Sequence, residues 1–270
     1  MTTPPTTPPT LELFAEELRL ARTDAGLSQE ELAVEVNYSA SLVAGVEQCR
    51  RIPQPEFTAR CERVLKTAGR LERIRCRIGR EVILPWFREW VLLEREATML
   101  RSYEPLVVSG LLQTEEYAQA LLEGASRFTV AQLEQQVAAR VERQAVLDRV
   151  PPPTFVAVLD EQILHRPVGG PKVMAGQLRH LVEAARRPWV HIQVVPLATG
   201  AYPGLNGAFA LATPAEGEDS AYLDNQLQGY VVQRRADVLS VAETWEVVRS
   251  QALSQEQSLR MIEEAARRWS

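Results

Sequence analysis

The sequence has no apolar run long enough to cross a bilayer, which takes about 20 consecutive apolar residues. Residues 1–10 contain only Met, Thr and Pro, so they lack the basic and apolar segments of a secretion signal. These absences predict a cytoplasmic protein without a membrane partner. Because such a composition cannot form a packed core, we expect residues 1–10 to be a disordered tail.

Cysteine and histidine are also scarce. The cysteines, Cys49, Cys61 and Cys76, are odd in number and form no C-x-x-C pair. This predicts reduced thiols that mostly pack, rather than a disulfide framework. No third histidine or cysteine lies near Glu161 and His165, which would be needed for a metal site. We therefore expect no metal and no cofactor.

Short motifs of the common enzyme classes are absent as well. The segment from Gly169 to Lys172 precedes a predicted helix, but it is shorter than a P-loop and lacks the Lys-Ser or Lys-Thr pair. Glu161 and His165 are four residues apart and would share one helical face, where a surface pair is more common than an acid-base pair. We predict that the protein is not an enzyme.

The clearest positive signal is a helix-turn-helix pattern over residues 29–48. Asn37 lies at the turn, and asparagine tolerates the left-handed backbone that this position requires. Ser28 and Ser39 precede the two helices, where a hydroxyl can cap free N–H groups. Ala33 stands where the helices must approach closely. The positions that must be apolar are occupied by Leu32, Val36, Tyr38, Val43 and Val46.

An ordinary helical hairpin would show the same apolar spacing, but the flanking residues favour a DNA-binding unit. Arg22 and Glu47 are placed to pair, and Arg50 and Arg51 follow the second helix, where cations can meet phosphates. The segments LRLARTDAGLSQEELA and VNYSASLVAGVEQCRRIP resemble the DNA-binding domain of phage-type repressors, the XRE family. This resemblance implies a five-helix, all-α DNA-binding domain over residues 11–70.

The charge distribution is compatible with a DNA partner although the formal net charge is −5 at pH 7. Residues 1–49 contain two arginines against eight acidic residues, whereas residues 50–80 contain ten basic residues against three acidic ones. Positive charge directly after the second helix can replace counterions on the phosphate backbone. A solvated basic helix face is the alternative interpretation.

The family geometry implies which residues meet double-stranded DNA. The residues expected in the major groove are Ser39, Ala40, Ser41, Ala44 and Gly45, and those expected on phosphates are Gln29, Arg50 and Arg51. None of the groove residues is a long donor, so bidentate reading of guanine or adenine is excluded there. We therefore predict modest specificity for one domain and a homodimer that uses two. A helical interaction protein that has lost DNA binding is a weaker alternative.

The rest of the chain has mixed patterns. Residues 71–100 read as a helical connector interrupted at Pro85. Residues 101–270 read as an α+β domain, which makes the whole chain α+β with an all-α N-terminal domain. We predict strands over 155–159, 190–197, 208–213 and around Tyr222, and helices over 171–187, 236–250 and 254–269.

The C-terminal region also resembles a known group. The segments SGLLQTEEYA, VAARVERQAVL, LDEQILHR and VHIQVVPL are similar to the C-terminal domain of a large actinobacterial group of XRE regulators, described as antitoxin-like and including the WhiJ type. The resemblance implies a transcriptional regulator that binds a small protein encoded next to it.

Two hypotheses describe the signal that this domain receives. If it binds a protein partner, an exposed apolar patch is expected, and the candidates are Trp86, Trp90, Leu111, Tyr117 and Leu121. If it binds a small effector, the convergent polar groups are expected to be Arg140, Arg143 and Gln144 near Glu161.

Overall fold

The computed structural model describes residues 9–82, 85–124, 128–225 and 228–270, without the side chains of residues 79–86. The chain splits into two compact units, Met1–Leu84 with Arg127–Ala139 and Pro85–Ser126 with Arg140–Ser270. Among the described residues, no helix is both long and apolar enough to span a membrane. These unit boundaries differ from the predicted ranges 11–70, 71–100 and 101–270.

The first unit is all α, as predicted. Its helices are α1 (Pro9–Asp24), α2 (Gln29–Val36), α3 (Ala40–Glu47), α4 (Pro55–Leu65) and α5 (Arg70–Val82), joined by the first part of α8 (Val130–Arg143). The first helix starts at Pro9, so Pro9 and Thr10 are not part of a tail, while residues 1–8 lie outside the described residues.

One apolar core holds this unit together. Leu11, Phe14 and Leu18 of α1 are fully buried against apolar residues of α2 to α5. Ala138 and Ala139 of α8 pack against the same core, which the sequence pattern did not indicate. Burial of a leucine-sized side chain contributes about 1.5–3 kcal/mol, so this core is the main source of the unit's stability.

The predicted connector is only partly helical. Helix α6 (Pro85–Glu96) follows α5, and strand β1 (Ala97–Glu104) begins directly after it. The prediction of helix up to Leu100 was therefore wrong. Strand β1 pairs on both sides, with β2 and β4, and this pairing in the centre of the sheet overrides the local helical periodicity.

The second unit is built on a six-stranded mixed sheet with the order β3-β2-β1-β4-β5-β6. Strands β1, β2 and β3 are parallel, and β4, β5 and β6 continue from β1 in antiparallel pairs. The α+β fold class is confirmed. The strands after β1 are β2 (Thr154–Asp160), β3 (Val190–Val195), β4 (Phe209–Pro214), β5 (Ser220–Asp224) and β6 (Gly229–Val232), of which β6 was not predicted.

Helices cover both faces of this sheet. Besides α6, the helices that pack on the sheet are α7 (Glu115–Gly124), α9 (Pro171–Ala184), α10 (Arg235–Ser250) and α11 (Gln255–Arg268). On one face, α6, α7, α9 and α11 pack through residues such as Trp90, Tyr117 and Leu178. On the other face, α10 packs through Trp245 and Val248. The predicted strands and closing helices are thereby confirmed, with shifts of a few residues at their ends.

The three cysteines are free thiols. Cys61 is buried, and burial raises its pKa to about 12, so it stays protonated at neutral pH. Cys49 is half-buried with a raised pKa, and Cys76 is exposed. A packing role fits Cys61 best, since a thiol at this pKa is a poor nucleophile.

Candidate nucleic-acid interface and a charged cluster in the second unit

The turn between α2 and α3 is stabilised by contacts that are local in sequence. The Ser28 hydroxyl accepts from Glu31 N at 3.1 Å, and the Glu31 carboxylate accepts from Ser28 N at 2.7 Å, which completes a capping box. Asn37 has φ 56° and ψ 52°, the predicted left-handed conformation. Ser39 caps α3 by accepting from Leu42 N at 3.2 Å. The local geometry of the predicted helix-turn-helix is confirmed.

The predicted pair of Arg22 and Glu47 also forms. Arg22 donates from Nε at 2.6 Å and from Nη2 at 3.0 Å to the two carboxylate oxygens of Glu47, whose side chain is only 3% exposed. Hydrogen bonding to Glu47 raises the pKa of Arg22. Gln29, expected on a phosphate, donates from Nε2 to Glu47 at 2.6 Å. The end of α3 is therefore held to both α1 and the start of α2.

The exposed face of α3 begins with two serines. Ser39 and Ser41 are exposed, and their hydroxyl oxygens are 3.1 Å apart. Ala40 and Ala44 are half-buried. Gly45 is buried, which contradicts its expected position on the exposed side.

Gly45 is buried because the side chain of Arg51 lies over it. A Cβ atom on Gly45 would lie 3.3 Å from Cγ of Arg51, so the methylene groups of Arg51 cover this glycine. Arg51 itself is exposed overall, and Arg50 is exposed with its guanidinium bonded to the side chain of Gln48. The surface offered to a ligand thus has the exposed first turn of α3 at one end of the helix and two exposed cations after the other end. Further exposed cations of this unit are Arg63, Lys66, Arg70, Arg73 and Arg77.

The apolar patch predicted for a protein partner does not exist as a surface. Trp90, Leu111 and Tyr117 are buried in the core of the second unit, with exposures of 3%, 5% and 1%. Leu121 is half-buried and packs against the same core. Trp86 lies outside the residues whose side chains are described. The patch prediction was wrong because the helical spacing of apolar residues marks a buried face whether it covers a core or a partner.

The polar groups predicted for a small effector do converge, but without Glu161. Arg140 donates from Nη1 to the side chain of Gln113 at 3.0 Å, and Gln144 donates to the carbonyl oxygens of Gly110 and Gln113 at 3.0 and 2.7 Å. Glu161 instead accepts from Leu197 N at 2.8 Å and lies 3.4 Å from His165. The expected acidic partner was therefore the wrong one.

Three other carboxylates surround these arginines. Glu94 lies 3.5 Å from Nε of Arg143, and its side chain is only 4% exposed. Glu104 and Asp224 act electrostatically on Arg140. Glu104 accepts a hydrogen bond from the Ser102 hydroxyl at 3.2 Å. The sequence could have indicated the contact between Ser102 and Glu104, because residues two apart on a strand face the same side of the sheet.

Burial dominates the electrostatics of this cluster. It raises the pKa of Glu104 to about 7, with further repulsion from Asp224, although Ser102, Arg143 and Arg140 oppose the shift. Burial likewise lowers the pKa of Arg140 to about 10 and raises the pKa of Glu94. At neutral pH, Glu104 is therefore protonated in a substantial fraction of the molecules.

We expect the stability of the second unit to fall as pH rises towards and through pH 7. The folded state binds the Glu104 proton more tightly than the unfolded state does, so the unfolded chain carries fewer protons between the ordinary glutamate range and about pH 7. Glu104→Gln should make that slope shallower, while Glu94 and Asp224, whose pKa values burial also raises, keep part of it. Urea unfolding followed by tryptophan fluorescence at pH 5 and pH 8 measures it, and an unchanged slope in the variant would assign the pH dependence to another group.

Comparison with known families found two matches along the chain. The model of a helix-turn-helix domain matches residues 13–73, and the model of a domain of unknown function (DUF5753) matches residues 87–264, more than half of the chain. Comparison with curated proteins found no match. Comparison with solved structures found none either. The helix-turn-helix domain supports an XRE-like DNA-binding regulator. The chain belongs to the DUF5753 family and carries a helix-turn-helix domain ahead of the family's own domain.

Proposed function

We propose that this protein is a sequence-specific, dimeric transcriptional regulator without a catalytic step, whose second unit receives the controlling signal. The observation that carries the proposal is the exposed first turn of α3, where Ser39 and Ser41 lie at the start of a capped and packed helix whose other end is followed by the exposed Arg50 and Arg51. Free N–H groups and hydroxyls at a helix start, followed by cations, are suited to the edge of a DNA groove and its phosphates.

The short side chains in the first turn of α3 support the proposal that the protein acts as a dimer. Short hydroxyl and methyl side chains provide weaker discrimination between bases than bidentate donors do. Two domains on an inverted repeat, about one helical turn apart, restore affinity and selectivity. A footprint on the DNA upstream of the protein's own gene, compared with the oligomeric state in solution, tests this part. Tight, selective binding by a monomer would contradict it.

Replacing Arg50 and Arg51 together by alanine is expected to weaken DNA binding about equally for all sequences. If each arginine contacts one phosphate, the slope of log affinity against log salt should flatten by about 2. Gel-shift titrations of specific and unrelated duplexes at several salt concentrations measure both quantities. Because the Arg51 methylenes cover Gly45, Arg51→Met provides a variant that keeps an apolar cover without the charge.

A matched control is available in the second unit. Arg234 and Arg235 are adjacent arginines at the start of α10, they are exposed, and they pair with Asp237 and Glu218. Their replacement by alanine should leave the salt slope unchanged. If both double variants behave alike, Arg50 and Arg51 have no phosphate role.

Two kinds of signal are proposed for the second unit. The first is a small protein encoded next to this one, in keeping with the resemblance to antitoxin-like regulators of the WhiJ type. The family match shows that the chain contains the DUF5753 domain. The partner has to be identified by experiment. Co-purification with the product of the neighbouring reading frame tests this version. Its docking surface must be sought away from Trp90, Leu111 and Tyr117, since these are buried.

The second kind of signal is a small effector, and a specific observation favours it. Arg140, Arg143 and Glu104 come together from α8 and β1 around polar side chains that no enzyme-like motif explains. Convergent polar groups with shifted pKa values are among the features that mark ligand sites. A ligand sensor should purify alone, which separates it from the first version.

A further inference from the structure

Helix α3 ends in a turn with an unfavourable backbone conformation. Cys49, directly after its last turn, has φ 57°, in the left-handed region. Cys49 N donates to Val46 O at 3.0 Å, and Arg50 N donates to Gly45 O at 2.8 Å, which are the two hydrogen bonds of a Schellman motif. Glycine is the usual residue at this position, because any side chain disfavours the left-handed conformation. The turn therefore depends on contacts that hold Cys49 in place.

Two such contacts come from other helices of the first unit. The thiol of Cys49 donates to the carbonyl oxygen of Leu11 on α1, 3.7 Å from Sγ. The carbonyl oxygen of Cys49 accepts from Nε2 of Gln135 on α8 at 3.3 Å. Gln135 is buried, with 6% of its surface exposed. Because a residue stays in a sparsely populated conformation only where its surroundings fix it, these two bonds are what stabilises the turn.

The second of these contacts comes from a distant part of the sequence. Gln135 lies 86 residues after Cys49, outside residues 13–73 that match the helix-turn-helix model. Ala138 and Ala139, three and four residues further along α8, lie on the same side of the helix as Gln135. Both pack against the apolar core of the first unit. Gln135 therefore reaches Cys49 from a helix that its own packing holds in position.

The turn carries the two cations that are proposed to contact phosphates. Arg50 and Arg51 directly follow Cys49, and their backbone N–H groups both donate to the carbonyl oxygen of Gly45, at 2.8 and 3.1 Å. The methylene groups of Arg51 then lie over Gly45. Since a rotation of the backbone at Cys49 moves every atom that follows it, the conformation of Cys49 sets the direction in which both guanidinium groups leave the turn.

We propose that Gln135 is a positioning residue for DNA binding, which holds the carbonyl of Cys49 and so fixes the turn that directs Arg50 and Arg51 towards the phosphates. This role rests on the proposed function. Side chains that are already held in the binding geometry lose less entropy when the complex forms, which increases affinity. The DNA-binding surface of this chain thus depends on a residue outside the matched helix-turn-helix domain.

Gln135→Met tests this role in the full-length protein, because methionine has a similar length but no hydrogen-bond donor. We expect the affinity for duplex DNA to fall about 3- to 10-fold, the effect of losing one hydrogen bond. The slope of log affinity against log salt should also flatten, since the cations meet the phosphates less often. Gel-shift titrations at several salt concentrations measure both quantities. An unchanged affinity would overturn the proposal.

The matched control is the same substitution at a glutamine with the same kind of bond in the second unit. Gln162 donates from Nε2 to the carbonyl oxygen of Pro105 at 2.7 Å. Gln162→Met should bind DNA like the wild type. If both variants lose affinity to the same extent, the loss comes from general destabilisation, and the positioning role is wrong.

A double-mutant cycle shows whether Gln135 acts through the two arginines. In a protein that carries Arg50→Ala and Arg51→Ala, adding Gln135→Met should change DNA affinity less than 2-fold, because the cations that it positions are absent. A purely structural role would lower the affinity by the same factor with and without the arginines. That result would overturn the proposal.

Hydrogen exchange of the free protein gives a readout that does not depend on DNA. Gln135→Met should speed the exchange of the backbone N–H groups of Arg50 and Arg51, and unchanged exchange would show that Gln135 does not hold the turn. A wild-type protein that binds no duplex DNA refutes the proposed function and this role with it. A wild-type protein that binds DNA, with a Gln135→Met variant that binds equally well, refutes the positioning role alone.

Discussion

Replacing Ser41 by glutamate is expected to reduce DNA affinity by about 100-fold or more, since a like charge brought against an acidic partner costs several kcal/mol. Ser41 is exposed in the first turn of α3, on the face proposed to enter the major groove. An acidic residue there should leave the fold intact, because negative charge near a helix N-terminus is stabilising. Gel-shift titration gives the affinity, and thermal unfolding shows that the variant is folded.

The matched control is Ser240→Glu, the same change at an exposed position of α10 in the second unit. This variant should bind DNA like the wild type. A second comparison, Ser41→Ala, removes the hydroxyl without adding charge and should cause a much smaller loss. If Ser41→Glu binds DNA as tightly as Ser240→Glu does, the first turn of α3 is not the DNA-binding surface.

Glu47→Ala is expected to destabilise the first unit by about 3–5 kcal/mol, because it leaves a buried guanidinium without its partner. The side chain of Arg22 is 11% exposed and makes both of its ionic hydrogen bonds to Glu47. The amide of Gln29 loses its acceptor as well. DNA binding should fall with stability, because Glu47 connects the end of α3 to α1 and α2.

The position of the tryptophans allows the unfolding of the second unit to be followed separately by fluorescence. All five tryptophans of the sequence lie in residues assigned to the second unit. Glu47→Ala should therefore shift the loss of helical circular dichroism to lower urea while tryptophan fluorescence changes little. Removing both charges, in Arg22→Met with Glu47→Leu, should recover much of the lost stability.

The control for this prediction is an ion pair on the surface of the same unit. Glu56 and Arg60 pair on α4, where the Glu56 side chain is 70% exposed. Glu56→Ala should change stability by about 0–1 kcal/mol. If Glu47→Ala costs no more than Glu56→Ala, the buried pair does not hold α3 in place.

The helix-turn-helix could be predicted from the sequence because its determinants are local. Ser28, Asn37 and Ser39 act on backbone groups within four residues of themselves. The pairing of Arg22 with Glu47 is not local, but the spacing of two known helices places both residues at one junction. Gly45 was misplaced there, since nothing in the sequence indicated that Arg51 would fold back over it.

The second unit shows where local patterns fail. Residues 97–100 continue a helical periodicity but lie in the central strand of the sheet, because pairing with two neighbours outweighs local preference. Trp90, Leu111 and Tyr117 have the spacing of an interaction surface and form a core instead. Periodicity shows which face of a helix is apolar, and it does not show what covers that face.

The sequence alone determined the all-α N-terminal domain, its capped turn, its cationic flank and the α+β class of the remainder, because these depend on neighbours along the chain. The tertiary structure decided that the first part of α8 joins the core of the helix-turn-helix unit, and that Glu104 and Asp224, rather than Glu161, act electrostatically on Arg140. Both outcomes depend on contacts between residues distant in sequence. Such contacts are set by how strands pair and helices pack, and no short stretch of residues encodes them.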